Sequence, residues 1–587
     1  MQKKLFINLL VLILVFPAFA FGQTKQKISL LLFNGKVFTA DAQFTTAEAV
    51  AVDGEKIVAV GTTNDLKAKY QAAKEIDLQG KLVTPGFNDA HVHFLRGALS
   101  LLNVVLTDTK SLAEAQNIIA EKVKTVKAGE WIIGRGWDHT IWKQNFPTKN
   151  DLDKIAPNNP VFLVRVDGHV GWVNSAALKL AGITKDTKNP EGGEIERDAS
   201  GEATGILKET SQNLVASLIP PPTKEQEIKG LELALDIARK YGITSVQDNS
   251  GYETTKLYRE FLRADKLTVR VAEWQDFENS IDEIKRQRAE FSSFNDDKNR
   301  LKLTALKGYV DGTLGSRTAS LLAPYSDDVG NSGIPRHTPE ELTRMIVERD
   351  AAGFQIALHA IGDRANRMAL DGFAEAKKNQ NKIQTETYKN QAKAAKEAFE
   401  KTRTIIDFVD IEPDPRHRIE HAQVVNPNDF KRFEELGIIA SMQPSHAISD
   451  KRWAGERLGE YRVLGAYAWH LMKSYNVHIP FGTDFPVESI NPYRTLYAAV
   501  SRQDEAGMPA GGWQPQERLT IRDAIRCHTY ESAYAEFAEN IKGEIKVGML
   551  ADLVVQSKDL LTIEPKEILT TEPIYTILGG KIVYVKK

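Results

Sequence analysis

Apolar and polar positions alternate along this chain in two different rhythms. Near the N-terminus, Leu30-Leu31-Leu32-Phe33 runs into Asn34-Gly35 and out again as Lys36-Val37-Phe38-Thr39. Apolar runs joined by Asn-Gly are a strong hairpin signal, because both turn residues tolerate positive φ. Ala49-Val50-Ala51-Val52 then passes through Asp53-Gly54 into Lys56-Ile57-Val58-Ala59-Val60-Gly61, a second hairpin. The C-terminal end repeats the style with Leu553-Val554-Val555, Ile574 to Leu578, Gly579-Gly580 and Lys581 to Val585. Neither end has enough strands to bury a face alone. The pattern therefore predicts one small β-sandwich built from 23–84 and 541–587.

The middle has the longer rhythm of strands alternating with helices. Gly242 to Asp248, Leu267 to Trp274, Leu301 to Asp311, Phe354 to His359, His417 to His421, Gly437 to Gln443 and His478 to Asp484 read as strands. Helical stretches separate them, such as Thr338 to Ala352, opened by Thr338-Pro339-Glu340-Glu341. Proline suits a first helical turn, where its missing N–H costs nothing. With the strand around His91 there are eight, which predicts an α/β fold, a (β/α)8 TIM-like barrel over 85–540. The active site of such a barrel lies at the C-terminal ends of its strands. Residues from about 100 to 235 are loop-rich and read as an insertion after the first barrel strand, and Lys377 to Lys401 as solvated helix.

Composition narrows the class. With 587 residues, 42% hydrophobic and 26% charged, the chain can bury a large core and an accessory domain. A net charge of -2 gives no electrostatic support for a nucleic-acid partner. Lys3 and Lys4, the apolar Leu5 to Phe16, and small residues at Ala18, Ala20 and Gly22 read as an export signal over 1–22. The apolar run is shorter than the roughly 20 residues that span a bilayer, so cleavage is expected rather than anchoring. The expected location is periplasmic or secreted, with no membrane span left after cleavage. Cys527 is the single cysteine, so stability must rest on the core and not on a disulfide.

The candidate chemistry sits at the strand ends. In Leu82-Val83-Thr84-Pro85-Gly86-Phe87-Asn88-Asp89-Ala90-His91-Val92-His93, strand residues two apart share a face. His91 and His93 can then clamp one divalent metal such as zinc. Strand five ends in His359, strand six in Glu420-His421 and strand eight in Gly482-Thr483-Asp484, while strand four carries Lys307. One strand-end histidine is more often packing than a ligand. The whole ordered set is hard to obtain by chance.

On these residues the chain resembles the amidohydrolase superfamily of metal-dependent hydrolases, and within it the branch containing N-substituted formamide deformylases. Gly134-Arg135-Gly136-Trp137, Arg165 to His169, Asp311 to Ala319 and Gly482-Thr483-Asp484-Phe485-Pro486 extend the likeness, which runs from about Ile28 to the C-terminus. The resemblance implies that His91, His93 and Asp484 bind one metal, and His359 and His421 a second. Lys307 would bridge them as a carbamate formed with carbon dioxide, since an ammonium has no lone pair to donate. If Lys307 stays unmodified, the expectation is a salt bridge to Asp311 or Asp484 and a site for one metal. The implied cofactor is one or two divalent cations, with zinc expected. A hydroxide activated by the metal, its pKa lowered to about 7, would attack a polarised carbonyl carbon. Asp484 would carry the proton to the leaving nitrogen.

The implied function is hydrolysis of a non-peptide C–N bond, amide or formamide-like, in a small-molecule substrate. A deaminase or lactonase on the same barrel is the rival, and an inactive ligand-binding barrel a third reading. His169, Asp311, Arg317 and His446 are candidate substrate contacts, although Asp311 and Arg317 could instead order their loop and His169 could be a structural hydrogen-bond group. His417 falls at the far end of its strand. His139, His337, His470, His478 and His528 read as packing or surface. Trp131, Trp137, Trp142 and Trp172 suit pocket walls or a core equally. The sequence leaves the oligomeric state open, a homodimer included.

Overall fold

A computed structural model of the chain describes residues 25–587 apart from 108, 144, 167, 295, 297–298 and 403–413. The expected export signal at 1–22 lies outside the described residues. Seven parallel strands form the central sheet, in the order Phe87–Val92, Ile243–Asp248, Arg270–Asp276, Leu301–Tyr309, Ile356–Ala360, Arg418–His421 and Ile439–Ser441. Residues 478–484 close it into the eight-stranded barrel that the sequence predicts. On one side Ala440 and Met442 donate to His478 O and Pro480 O, both at 3.0 Å, and on the other Ala90 donates to Phe481 O at 3.0 Å. This last strand is less regular than the others because Pro480 has no N–H to give and Asp484 turns left-handed at φ 57°.

The helices form where capping and apolar spacing agree. Lys224–Lys240 opens with a capping box of Thr223 and Gln226, and Pro339–Ala351 with one of Thr338 and Glu341. Leu231, Ala234, Leu235 and Ala238 recur at helical spacing and pack with Phe87 and Val246 in the main core. Lys224–Lys240 is thus a barrel helix, so the insertion, read from sequence as reaching 235, gives way to the barrel before it. The charged stretch around 377–401 lies in the helix Asp363–Thr402. No helix among the described residues is long and apolar enough to cross a membrane.

The insertion carries a six-stranded sheet of its own, ordered Gly193–Arg197, Ala203–Glu209, Val170–Val173, Val161–Arg165, Ile132–Trp137 and Val104–Val105. Trp137, Trp142 and Trp172 pack into one buried cluster inside it. Each indole N–H finds a backbone carbonyl, at Leu163, Thr109 and Thr148 respectively. These tryptophans are core. Trp131 packs half-buried against a second cluster of the same insertion.

The two termini meet in a pair of sheets. One contains Lys56–Gly61, Ala49–Asp53, Gln26–Phe33 and Tyr70–Asp77, and the other Lys581–Val585, Pro573–Leu578, Leu553–Gln556, Leu82–Pro85, Lys36–Phe38 and Thr46–Ala47. Leu30, Leu32, Val50 and Val52 of the first share a buried cluster with Val83, Leu553, Val555 and Ile577 of the second. A bidentate ion pair ties this unit to the barrel: Arg270 Nε lies 2.6 Å from Asp552 Oδ2 and Nη2 2.9 Å from Oδ1. Both side chains are buried. Burial alone would raise the Asp552 carboxyl, but Arg270 holds it below its usual range. Removing one partner of a buried pair strands the other, at a cost of about 3–5 kcal/mol. Asp552→Ala is expected to lose stability on that scale in urea titrations with metal content unchanged, and an unaltered midpoint would contradict the role given to this pair.

Candidate metal centre

Strand one leads to the centre and is fixed from below by a buried carboxylate. Asp89 accepts from the Thr483 N–H at 2.9 Å and its hydroxyl at 2.6 Å, which locks strand eight against strand one. The two backbones run so close that a Cβ on Gly482 would lie 2.6 Å from His91 N. Only glycine fits there. Two residues on, the left-handed turn at Asp484 brings its carboxylate to within 3.6 Å of His91 Nε2 and 3.4 Å of His93 Nε2. His93 is not in the strand but caps the helix Phe94–Ser100, so its ring stands edge-on to His91, with centroids 5.9 Å apart.

Each imidazole is oriented through the nitrogen facing away from the centre. His91 Nδ1 donates to Glu420 Oε2 at 2.5 Å, His93 Nδ1 to Asn249 O at 3.0 Å and His421 Nδ1 to Gln443 Oε1 at 2.7 Å. His359 uses the opposite nitrogen, Nε2 donating to Gly312 O at 3.0 Å. One lone pair per ring is left for a cation, and such outer partners normally fix the tautomer of metal-bound histidines. Burial first of all keeps His91, His359 and His421 neutral, with His91 lowered to about 4, His359 to about 3 and His421 well below its usual range. Burial would raise the Asp484 carboxyl, but the imidazoles around it, His93 foremost, hold it well below its usual range.

A divalent cation fits this donor set. Ligand atoms of His91, His421 and Asp484 lie within 4.8 Å of one another, and all three residues are buried. Asp484 Oδ1 has no hydrogen-bond partner among the described residues although it is buried. An orphaned carboxylate oxygen beside neutral imidazole lone pairs is unfavourable until a cation joins them.

Lys307, on strand four, is buried with Nζ 3.2 Å from His91 Nε2. Burial lowers its pKa to about 8, against the pull of Glu420 and Asp484. Of the two salt bridges expected for an unmodified lysine, to Asp311 or to Asp484, the first is not available, because both Asp311 oxygens accept from backbone N–H groups. Ile361 N–H donates to Oδ1 at 2.9 Å, and Ser320 and Gly362 donate to Oδ2 at 2.8 Å. Asp311, whose Oδ1 also lies 3.6 Å from His359 Nε2, thus orders the loop after strand four, one of the two roles expected of it. Arg317 does likewise through its ion pair with Asp327 at 2.8 Å. His169 is exposed on the insertion, 3.0 Å from Glu209. His446 is different: its Nε2 lies 3.5 Å from Asp484 Oδ2, and its ring stacks 5.7 Å from that of His421. His417 sits at the other end of strand six, bonded to Ile356 N–H and Asp350.

The sequence reading gave no role to the groups that hold the ligands. Glu420 is gripped by Arg418, whose Nε lies 2.5 Å from Oε1, and Arg418 also reaches Gln247, Ser441 and Ala90 O. Burial would raise Glu420, but Arg418 and His91 bring it down to about 2. Residues 418 and 420 alternate inward on one strand, which was a readable signal. That His421 also faces the site depends on its φ of 74°. Outer partners of this kind typically contribute 10–100-fold to metal affinity. Glu420→Gln is therefore expected to weaken zinc binding by about that factor in chelator competition, and an unchanged affinity would remove Glu420 from the centre.

Comparisons with known proteins agree with this geometry. The profile of the amidohydrolase family matches residues 74–584. The chain is 32% identical over 574 residues to the protein LONG AFTER FAR-RED 3 of Arabidopsis thaliana, covering 94% of this chain and 91% of that protein. It is 28% identical to the N-substituted formamide deformylase of Arthrobacter pascens, covering 91% and 94%. Among solved structures, an uncharacterized metal-dependent hydrolase from Pyrococcus horikoshii OT3 superposes with a TM-score of 0.71 at 28% identity, covering 91% of this chain and 99% of that one.

Proposed function

The chain belongs to the amidohydrolase family and is a metal-dependent hydrolase, and from that premise we propose that it cleaves a non-peptide C–N bond, of amide or formamide type, in a small molecule. One observation carries the reading: the buried, unpartnered Asp484 Oδ1 lies 3.6 and 3.4 Å from His91 and His93 Nε2. Those gaps are close to the edge of a tetrahedron with zinc–ligand bonds of about 2.0–2.1 Å. His91, His93 and Asp484 would hold one cation, and His359, His421 and a carbamylated Lys307 a second. Bound there, zinc supplies Lewis-acid activation of water and of the substrate carbonyl.

The chain's own groups do the rest. Asp484, with its carboxyl held ionised, accepts a proton at one oxygen and passes it to the leaving nitrogen, which departs poorly until protonated. His446, 3.5 Å from the other Asp484 oxygen, sits where it steers that carboxylate and meets the substrate. Lys307 is suited to carbamylation, since a pKa of about 8 leaves about a tenth of the amine neutral at pH 7. The neutral nitrogen attacks carbon dioxide and loses one proton, giving an anionic oxygen donor.

The test is a zinc-reconstituted preparation offered N-substituted formamides, lactones and amino-substituted heterocycles. Formate release that a chelator abolishes is the expected result. Ammonia release from the heterocycles alone, or lactone opening alone, would replace the amide reading with its rivals. Export is a separate proposal, resting on the sequence of 1–22. Mature protein from its native host should lack those residues by mass spectrometry, and an intact Met1 would overturn it.

A further inference from the structure

The helix Phe94–Ser100 starts at a residue that does not cap it. His93 occupies the N-cap, but its ring turns to the centre and makes no bond to the first helical turn. An N-cap side chain normally accepts from that turn, whose N–H groups have no partner within the helix. Here the acceptors come from the end of strand two. Asp248 Oδ1 takes the Phe94 N–H at 2.6 Å, and Ser250 Oγ takes the Leu95 N–H at 3.2 Å. Between them, Asn249 O takes the His93 Nδ1–H at 3.0 Å. Three consecutive residues thus hold His93, Phe94 and Leu95. The arrangement matters because His91, His359 and His421 are placed by the register of their strands, whereas His93 lies outside any strand.

Residues 248–251 are themselves braced from three neighbouring strands. Asn249 N–H donates to Val92 O on strand one at 2.7 Å, and Gly251 N–H to Glu273 Oε1 on strand three at 2.8 Å. Asn249 Nδ2 donates to the Tyr309 hydroxyl on strand four at 3.1 Å. Asp248 is fully buried, and burial raises its carboxyl while the bonds it accepts act against the rise. Burying an acid is costly, and a serine or asparagine caps a helix as well. An aspartate adds acceptor capacity. Besides Phe94 it takes the Ser250 hydroxyl at 2.8 Å and, at Oδ2, the Tyr258 hydroxyl at 2.5 Å. One carboxylate thereby ties strand two, the helix Thr254–Arg263 and the start of Phe94–Ser100 together.

We infer that Asp248 and Ser250 are positioning residues of the metal centre, holding the start of Phe94–Ser100 so that His93, relieved of capping, presents Nε2 beside Asp484. The inference rests on the reading of His91, His93 and Asp484 as a metal site, and adds the groups that aim one of its ligands. Such ligands must be held within about 0.5 Å of their working positions by a surrounding shell. For His93 that shell is the end of strand two. Without the Asp248 and Ser250 bonds the first turn of the helix loses its two acceptors, and the ring keeps only its single bond to Asn249 O.

The test is titration of the full chain with zinc and with cobalt(II), whose visible absorption reports the ligands around it, with no substrate present. Asp248→Ala is expected to alter the cobalt spectrum and to weaken zinc binding by about 10–100-fold in chelator competition. Ser250→Ala should show a smaller loss in the same direction. Asp248→Asn keeps an oxygen for the Phe94 N–H and should restore both readouts; a loss as deep as that of the alanine variant would overturn the role given to that oxygen. A purely structural role would lower the urea midpoint and leave the folded variants with wild-type spectrum and zinc affinity, and that result overturns the inference. If Asp248→Ala does not fold, Ser250→Ala decides: unchanged binding overturns the inference, and weaker binding with an altered spectrum supports it. A wild-type protein that takes up neither metal would end the metal-site reading and the inference with it. Metal losses as expected, with no hydrolysis of any substrate offered, keep the inference and remove the hydrolase.

Discussion

His91→Ala is expected to empty the centre and lower kcat/KM by about three orders of magnitude. No other side chain touches so many of its parts. His91 is bonded to Glu420, lies 3.2 Å from Lys307 Nζ and 3.6 Å from Asp484 Oδ1, and packs its ring 5.0 Å from His421 and 5.4 Å from Trp274. Lewis-acid stabilisation contributes several kcal/mol, and each factor of ten in rate costs about 1.4 kcal/mol. The fold should survive. The histidine stands at the loop end of its strand, and Glu420 keeps both of its bonds to Arg418, at 2.5 and 3.2 Å. Metal analysis on the purified variant, with circular dichroism as a control, decides the matter. Full metal occupancy in a folded His91→Ala protein would end the assignment.

His91 was readable because its signal is local. A histidine pair two apart at the end of a strand can be recognised from a dozen residues, and so can the strand-end positions of His359, His421 and Asp484. The barrel was readable for the same reason, since each strand and capped helix announces itself within its own segment. The outer partners are not local. Glu420 serves a histidine 329 positions earlier, and His93 is held by a backbone carbonyl, Asn249 O, that any residue could supply. Strict alternation also fails where it matters most. Glu420 and His421 are adjacent yet both face the site, because His421 takes a left-handed backbone at φ 74°.

The readings that sequence left open have equally physical causes. Asp311 suited a substrate contact or a loop-ordering role equally, because it is polar and follows strand four. Sequence cannot show that three backbone N–H groups converge on its two oxygens. The tryptophans of the insertion looked equally like walls or core. Only the indole bonds to Leu163, Thr109 and Thr148 carbonyls settle them inside. A barrel helix was absorbed into the insertion because Lys224–Lys240 is as polar outside as any surface helix. Its apolar stripe meets Phe87 and Val246 only once the chain is folded.

Lys307→Ala is expected to cost on the order of a hundredfold in rate, about 2.7 kcal/mol at 1.36 kcal/mol per tenfold, together with one equivalent of metal. Lys307 is buried, its Nζ is 3.2 Å from His91 Nε2, and burial has lowered its pKa to about 8. A permanent ammonium in that position would repel a cation held by His91 and Asp484. As a carbamate the same side chain becomes an anion with two oxygen donors. Alanine leaves a cavity of the size of that group, and acetate or formate added in excess should refill it and restore part of the activity. Lys307→Arg should not be conservative, because a guanidinium stays charged and has no donor atom for a metal. The three measurements belong together: metal stoichiometry, turnover, and turnover with added acetate. Wild-type metal content and rate in Lys307→Arg would make Lys307 a structural cation. The centre would then hold one metal, and a deaminase-like reaction would account for it better than amide hydrolysis.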